Sequence, residues 1–474
     1  MKTLIAVIRA ASTAALLAVT AVAADKSPSL PRDLPPYGDL KPVAAPRVTQ
    51  VKLDNGLVVW LVPSSGFPKI AFSIAIRGGY TADSKDRPGM ADLIAAAVTQ
   101  GTKGRSARQL AEELQGDGGD LEAEATSDAI LLNTSVLSSK AEPAVQLLAD
   151  VMQNAAFADD EVTIAKRNVA SRLQAREGES RFLGTRALHR ALFGDHPYAV
   201  IAPTQDSIAK TTASDLRSEY SRRFRPDAAV FVAVGDFDEA KLSSAIRTDF
   251  GSWKAAGTGG VADTGRPKTS TSRVVVYVPR ANSVQTAFFM GTLAPDRADP
   301  DYAATRVANA IYGGMFGSRL ISNIREDKGY TYSPFSRLAP YAQAGVLTTS
   351  ADVRNTVTGA SFNEITYELN RIATTSPEQR ELDRAKRYLI GSQAVRLQSR
   401  EAVARSLANL WVDSLPPEEL GLESQKVEQI TAKDVEAAGR RYFSAYRMTI
   451  VAVGEEKVIK DELSPFGLEF EKSQ

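Results

Sequence analysis

The sequence predicts an α+β protein made of two copies of one domain, each a mainly antiparallel sheet with helices on one face. A repeat and a mixed pattern of elements carry this reading. Thr212-Ala213-Ser214-Asp215-Leu216 leads, through Arg222 and Phe224, to Val232-Ala233-Val234-Gly235. The pattern returns as Thr431-Ala432-Lys433-Asp434-Val435, Arg441, Phe443 and Val451-Ala452-Val453-Gly454, displaced by 219 positions without a gap. Solenoid units repeat every ~20–50 residues, so a period this long marks a duplicated domain. Strand-like and helix-like stretches are also mixed in both halves, which is the α+β signature.

The elements follow in order. Lys2 and Arg9 precede a small apolar run, and Ala21-Val22-Ala23 and Val22-Ala23-Ala24 are small-residue cleavage sites. Residues 1–24 therefore read as a signal peptide, too short to span a bilayer. Residues 25–47 carry Pro28, Pro31, Pro35, Pro36, Pro42 and Pro46, an extended lead-in. The first domain, 48–256, opens with strands at 57–62 and 70–76. Helices at 90–98 and 107–114 follow, the second capped by Ser106. A strand at 130–137, helices at 142–152 and 159–176, a strand at 229–234 and a helix at 239–250 complete it. Residues 257–273 have the Gly, Thr and Ser content of a linker. The second domain, 274–474, restarts the pattern. Ala287-Phe288 repeats Ala71-Phe72 at an offset of 216. One long helix is expected over 377–411, with Ser376 as N-cap and Gln379 completing a capping box.

Composition excludes several functions. Apolar content of 43% with 24% charged residues is that of a soluble globular protein. A net charge of +1 without a basic stripe argues against nucleic acid. With no Cys, a disulfide, a thiol nucleophile and a Cys metal site are all impossible. Export without disulfides fits a bacterial periplasm. No G-x-S-x-G, G-x-G-x-x-G after a strand, or P-loop occurs. The acidic run Asp117, Asp120, Glu122, Glu124 reads as a solvated turn rather than a calcium loop.

One segment stands out for chemistry. Gly313, Gly314 and Gly317 allow close backbone approach or a swinging flap, and Ser318 follows. Arg325 then falls on a helix ended by Gly329. Tyr330 and Tyr332, two apart, are expected to begin a strand with both rings on one face. An Arg and a Tyr hydroxyl beside a cleft can hydrogen-bond a peptide carbonyl and a tetrahedral oxyanion.

With these residues the chain resembles the pitrilysin-like zinc peptidases, the clan of insulin-degrading enzyme and mitochondrial processing peptidase. Leu53-Asp54-Asn55-Gly56-Leu57 looks like the family's opening strand. Gly78-Gly79, Gly89-Met90-Ala91 and Gly101-Thr102 frame the place of its metal helix, and Asp195-His196-Pro197-Tyr198 looks like a later signature. Residues 313–318 match its Gly-rich loop. Arg325 and Tyr332 match the pair with which the family's second half holds substrate; Tyr330 is the weaker alternative. The resemblance implies two homologous domains per chain, paired chains enclosing a chamber, and zinc in the first domain of one partner.

The departures set the expected function. The family's metal motif is H-x-x-E-H after Gly-x-Ala. Here Asp92 stands at the first His, Ala95 at the general-base Glu and Ala96 at the second His. The helix expected to carry the distal Glu has Asn168, Ser171 and Arg172. The two histidines, His189 and His196, lack a third ligand and a base and read as structural. The expectation is a non-catalytic, substrate-binding subunit that binds no cofactor itself. A homologous HxxEH-bearing subunit would supply zinc and the base, while this chain supplies Arg325 and Tyr332 in trans. The alternative is a peptide-binding or structural pseudoenzyme with no catalytic partner.

Overall fold

The structure, a computed structural model, describes residue 38 and residues 43–256, 264–268 and 274–472. The expected signal peptide, most of the Pro-rich lead-in and most of the linker lie outside the described residues. Within the described residues no helix is long and apolar enough to cross a membrane.

Two six-stranded sheets form. The first contains β1 (Thr49–Lys52), β2 (Val58–Pro63), β3 (Lys69–Arg77), β4 (Leu121–Ala125), β5 (Ala129–Leu137) and β6 (Ala229–Gly235), in the order β1-β2-β6-β3-β5-β4. The second contains β7 (Val275–Pro279), β8 (Gln285–Ala294), β9 (Phe335–Pro340), β10 (Gly345–Arg354), β11 (Thr449–Gly454) and β12 (Glu471–Lys472), in the order β12-β7-β11-β8-β10-β9. Five strands of each share one topology. In both, the strand holding the repeated Val-Ala-Val-Gly lies centrally, parallel to one neighbour and antiparallel to the other. A central strand is covered on both faces, which is why these runs are apolar without alternation. The copies differ at the edge: β1 is antiparallel to β2, whereas β12 is parallel to β7.

The repeated Thr-Ala-x-Asp has an equally direct cause. Thr212 caps the helix Ala213–Arg223, accepting from the Asp215 amide at 3.2 Å, while Asp215 accepts from the Thr212 amide at 2.9 Å. Thr431 and Asp434 repeat this capping box at 3.3 and 2.8 Å.

Each sheet buries one face against helices of its own half. In the first, Met90–Val98, Ala141–Asn154 and Glu239–Phe250 enclose Leu61, Phe72, Ile74 and Phe231. The opposite faces are covered by exchange. Helix Arg400–Val412 of the second half lays Val403, Leu407 and Leu410 on Trp60, Ala71, Val230 and Val232 of the first sheet. Helix Ser180–Phe193 of the first half lays Leu188, Leu192 and Phe193 on Phe289, Val346, Val451 and Val453 of the second. Gly184 permits this approach, because a Cβ there would sit 2.1 Å from the Phe289 ring.

The exchange corrects the single helix expected over 377–411. Two helices form, Gln379–Arg396 and Arg400–Val412, and the break lets the second cross to the other sheet. Ser399 caps the new start, accepting from the Ala402 amide at 3.2 Å. Ser376 is not the N-cap: Glu378 is, boxed with Glu381, and the Ser376 hydroxyl donates to Glu436. The acidic run is a solvated turn only around Asp120, which is exposed. Glu122 and Glu124 lie on edge strand β4, Glu124 pairs with Arg405, and Asp117 is buried beside Lys140 at 3.1 Å.

At the end of Arg400–Val412 the junction becomes polar. Arg77 stacks 4.1 Å from the Trp411 ring centroid and donates to the Ser414 hydroxyl at 3.0 Å. Burial lifts the Asp413 carboxyl to about 7; Arg297, 3.9 Å away, and Arg77 oppose the rise, and Asp128 and Asp296 add to it.

Two expectations follow from the exchange. Leu407 is fully buried, so Leu407→Ala should cost about 2–5 kcal/mol while unfolding stays a single transition by denaturant titration. Two resolved transitions would mean that the halves are independent. Asp413 has a folded pKa above its unfolded value, so the folded state keeps a proton that the unfolded state releases. Its contribution is fully present below the unfolded pKa of ~4 and is lost as pH rises through about 7. Asp413→Asn should flatten that decline in denaturation midpoints, and an unchanged slope would contradict the assignment.

Candidate functional site

The helix Met90–Val98 occupies the expected metal position, and its entry is rigidly set. Gly89 has φ +82°, and a Cβ there would lie 2.2 Å from Pro203. Asp83 accepts from the Gly89 and Ala91 amides at 2.7 and 3.1 Å, satisfying helix-start donors. Arg223 pairs with Asp83 at 2.9 Å, both side chains 2% exposed, and donates to the carbonyls of Gly78 and Gly79 at 3.2 and 3.1 Å. Burial lifts the Asp83 carboxyl to about 6, against the pull of Arg223. The sequence reading did not single out Asp83 or Arg223. The signal was a break in the repeat: 219 positions after Arg223 stands Tyr442, whose hydroxyl donates to Asp301 at 3.1 Å.

Beside this helix lies a cavity of about 470 Å³. Asp92, Ala95 and Ala96 form one side; Asn168 and Arg172, from the helix Asp159–Glu177, form another. Burial raises the Asp92 carboxyl above its ordinary range, while a Tyr80 hydrogen bond and the charges of Arg176 and Arg172 lower it. Zinc takes three or four N, S or O ligands. Here two of the motif positions are methyl groups, Arg172 brings positive charge, and Glu124 is engaged by Arg405. Among the described residues no three His, Cys, Asp or Glu side chains are grouped for a metal ion. The residues present do not fit zinc.

The histidines are engaged elsewhere. His189 is buried; its Nδ1–H donates to the Tyr198 carbonyl at 3.0 Å, and burial lowers its pKa. His196 accepts from the Tyr198 amide through Nδ1 and donates through Nε2 to the Gly265 carbonyl at 3.1 Å. Tyr198, fully buried, donates to Asp128 at 2.7 Å and accepts from the Gln343 amide at 3.0 Å, joining the two halves.

The second-half site is built on two π-helical turns, Ala310–Gly314 and Ser322–Asp327, around the Gly-rich loop. Gly313 and Gly314 are needed for packing: a Cβ would lie 2.9 Å from Ser336 and 2.6 Å from Asn309, respectively. Gly317 has φ +77° and its carbonyl accepts from Arg384 at 3.0 Å. Gly313 and Ser318 are buried, so they shape the loop rather than line its surface. Phe316, absent from the sequence-based site, is presented instead, 71% exposed.

Arg325 and Tyr332 meet. The guanidinium carbon lies 4.5 Å from the Tyr332 ring centroid and 5.2 Å from that of Phe316, and Nε is 3.1 Å from Glu326. Tyr332 is 80% exposed. Tyr330 is partly buried and its amide donates to the Ile324 carbonyl at 2.9 Å. The expected strand at these tyrosines does not form. Both lie in the connection to β9, which starts at Phe335, because Gly329 turns the chain in the left-handed region at φ +62°.

Comparison with known proteins shows the family and the fold. The family profile described as insulinase (peptidase family M16) matches residues 59–202, and that described as peptidase M16 inactive domain matches residues 210–389. A Mycobacterium leprae protein named as an uncharacterized zinc protease is 28% identical over 363 residues, 74% of this chain and 79% of its own. A Helicobacter pylori protein named as a non-peptidase homolog is 23% identical over 390 residues, 81% and 88% of the two chains. A solved peptidase M16 inactive domain from Pseudomonas fluorescens superposes with TM-score 0.80 at 25% identity, covering 86% of this chain and 98% of its own.

The donor set predicts that the protein, incubated with excess zinc and desalted, retains far less than one zinc per chain by plasma mass spectrometry. One tightly held zinc per chain would contradict it.

Proposed function

The chain belongs to the M16 family of insulinase-type peptidases, and we propose that it is the non-catalytic, substrate-holding subunit of a heterodimeric zinc peptidase. The supporting observation is a contrast within one molecule. The metal position holds Asp92, Ala95 and Ala96 beside Arg172, while Arg325 and Tyr332 are held together on an exposed surface. Relatives named as zinc proteases and as a non-peptidase homolog fit a family in which the metal site is present in some chains and lost in others.

In this reading the HxxEH residues of a partner would hold a zinc ion, which would supply Lewis-acid polarisation of the peptide carbonyl and an activated water, in a chamber closed between the two chains. The residues of this chain do the holding. Arg325 leaves its ring stack and donates to a carbonyl of the bound peptide. The Tyr332 hydroxyl donates toward the oxyanion that develops at the scissile carbon. Gly313, Gly314, Gly317 and Ser318 keep the loop that carries Phe316 close to the peptide, and Tyr330 braces the turn. The protein is exported, in a bacterium to the periplasm.

A second reading, peptide binding without a catalytic partner, is favoured by the name of the Helicobacter relative. Reconstitution with a homologous HxxEH chain separates the two. Tyr332→Phe, which removes the oxyanion donor and keeps the ring, should lower peptidase activity of the pair on the order of a hundredfold, and Arg325→Ala should weaken peptide binding by the pair. Peptide binding with no activity in any such pair would favour the second reading.

A further inference from the structure

Phe316 is the most exposed phenylalanine among the described residues. Its position is imposed from both sides. Met315 before it is buried, and Gly317 after it turns the loop in the left-handed region and is tied to Arg384. An apolar ring held in solvent by a pinned loop shares a neighbour, Arg325, with a second exposed ring, Tyr332. The Arg325 guanidinium lies 5.2 Å from the Phe316 centroid and 4.5 Å from that of Tyr332, inside the ~6 Å reach of a cation–π contact to both. Glu326 adds a carboxylate 3.1 Å from the same guanidinium. Two rings and an acid form the chemistry of an arginine-binding clamp, and in the free chain the arginine in it is the protein's own.

We propose that Phe316 and Tyr332 form a cation clamp, occupied by Arg325 in the free chain, that takes a basic side chain of an extended peptide when Arg325 turns to the peptide backbone. The inference deepens the reading of this surface as a peptide-holding site and rests on it. Phe316 is then a specificity-determining residue. The exchange replaces one stacked cation by another, so the gain comes from the backbone bonds that Arg325 makes once released. The free clamp adds a preference for positive charge on the peptide.

The test uses the intact protein and a pair of fluorescein-labelled extended peptides, one with a single arginine and its twin with citrulline, which keeps the shape without the charge. By fluorescence anisotropy the arginine peptide should bind roughly two- to fivefold more tightly, the factor an exposed cation–π contact supplies. Phe316→Ala should bring that ratio to about one, and Phe316→Tyr should restore it. Tyr332→Phe keeps the ring and should keep the ratio. Arg325→Ala empties the clamp and should raise the ratio even if both affinities fall. Equal binding of the twins by the wild type, or a preference that survives Phe316→Ala, overturns the clamp. Phe316 is exposed, so its substitution does not threaten folding. The readout is also independent of the subunit role. A chain that shows the preference but supports no partner's hydrolysis loses the role and keeps the clamp; one that supports hydrolysis without the preference does the reverse.

Discussion

The fold depends on a reciprocal exchange of helices. Each duplicated sheet has two apolar faces and enough helices of its own for one. The other face is closed by the second arm of the opposite half's helical hairpin: Arg400–Val412 on the first sheet and Ser180–Phe193 on the second. Neither central strand, β6 or β11, would keep both faces out of water without its counterpart half. Exposing such a face costs ~25 cal/mol per Å² of apolar surface, so separation of the halves is strongly opposed. The polar contacts at the seam, the Gln343 amide to Tyr198 and Arg77 to Trp411, then fix the register of two surfaces already held together by burial.

The first-half helix at the expected metal position is likewise held by packing and buried polar contacts. The helix Met90–Val98 is placed by its core face, by Gly89 against Pro203 and by the buried Asp83–Arg223 pair, none of which involves a metal ligand. Ala95 and Ala96, at the expected motif positions, are small and leave the helix on its sheet. What remains is a polar cavity whose charge balance is set by Asp92, Arg172 and Arg176. A buried pair such as Asp83–Arg223 is costly to break by removing one partner, which ties its persistence to the frame rather than to chemistry.

Much of the fold was legible in the sequence because strong periodic signals coincided with local ones. The repeated valines marked central strands, and Thr212 with Asp215, like Thr431 with Asp434, marked helix starts that form as capping boxes. The break at residues 397–399 was not legible. The pattern over 377–411 remains helical through it, and only the need to cover a distant sheet forces the turn. Tyr330 and Tyr332 misled for a related reason. Their spacing fits a strand, but the left-handed turn at Gly329 delays pairing until Phe335. In the site, Arg325 and Tyr332 were readable as a pair. Phe316 was not, since a phenylalanine in a loop carries no sign of exposure until the backbone places it.

The two halves diverge where a helix gains a residue. Tyr302–Asn309 runs on into the π-turn Ala310–Gly314, and Arg325 itself sits on a second π-turn, Ser322–Asp327. A π-turn widens the helix and re-aims the side chains after it, at the cost of weaker backbone packing. That cost is offset only if small residues let neighbours approach, and Gly313 against Ser336 and Gly314 against Asn309 do so. The glycines of this loop are therefore explained by packing as much as by mobility. What they support is the outward placement of Phe316 and the presentation of Arg325 toward Tyr332. The first half kept a regular helix; the second has a distorted helix and a half-buried cation within reach of two exposed rings.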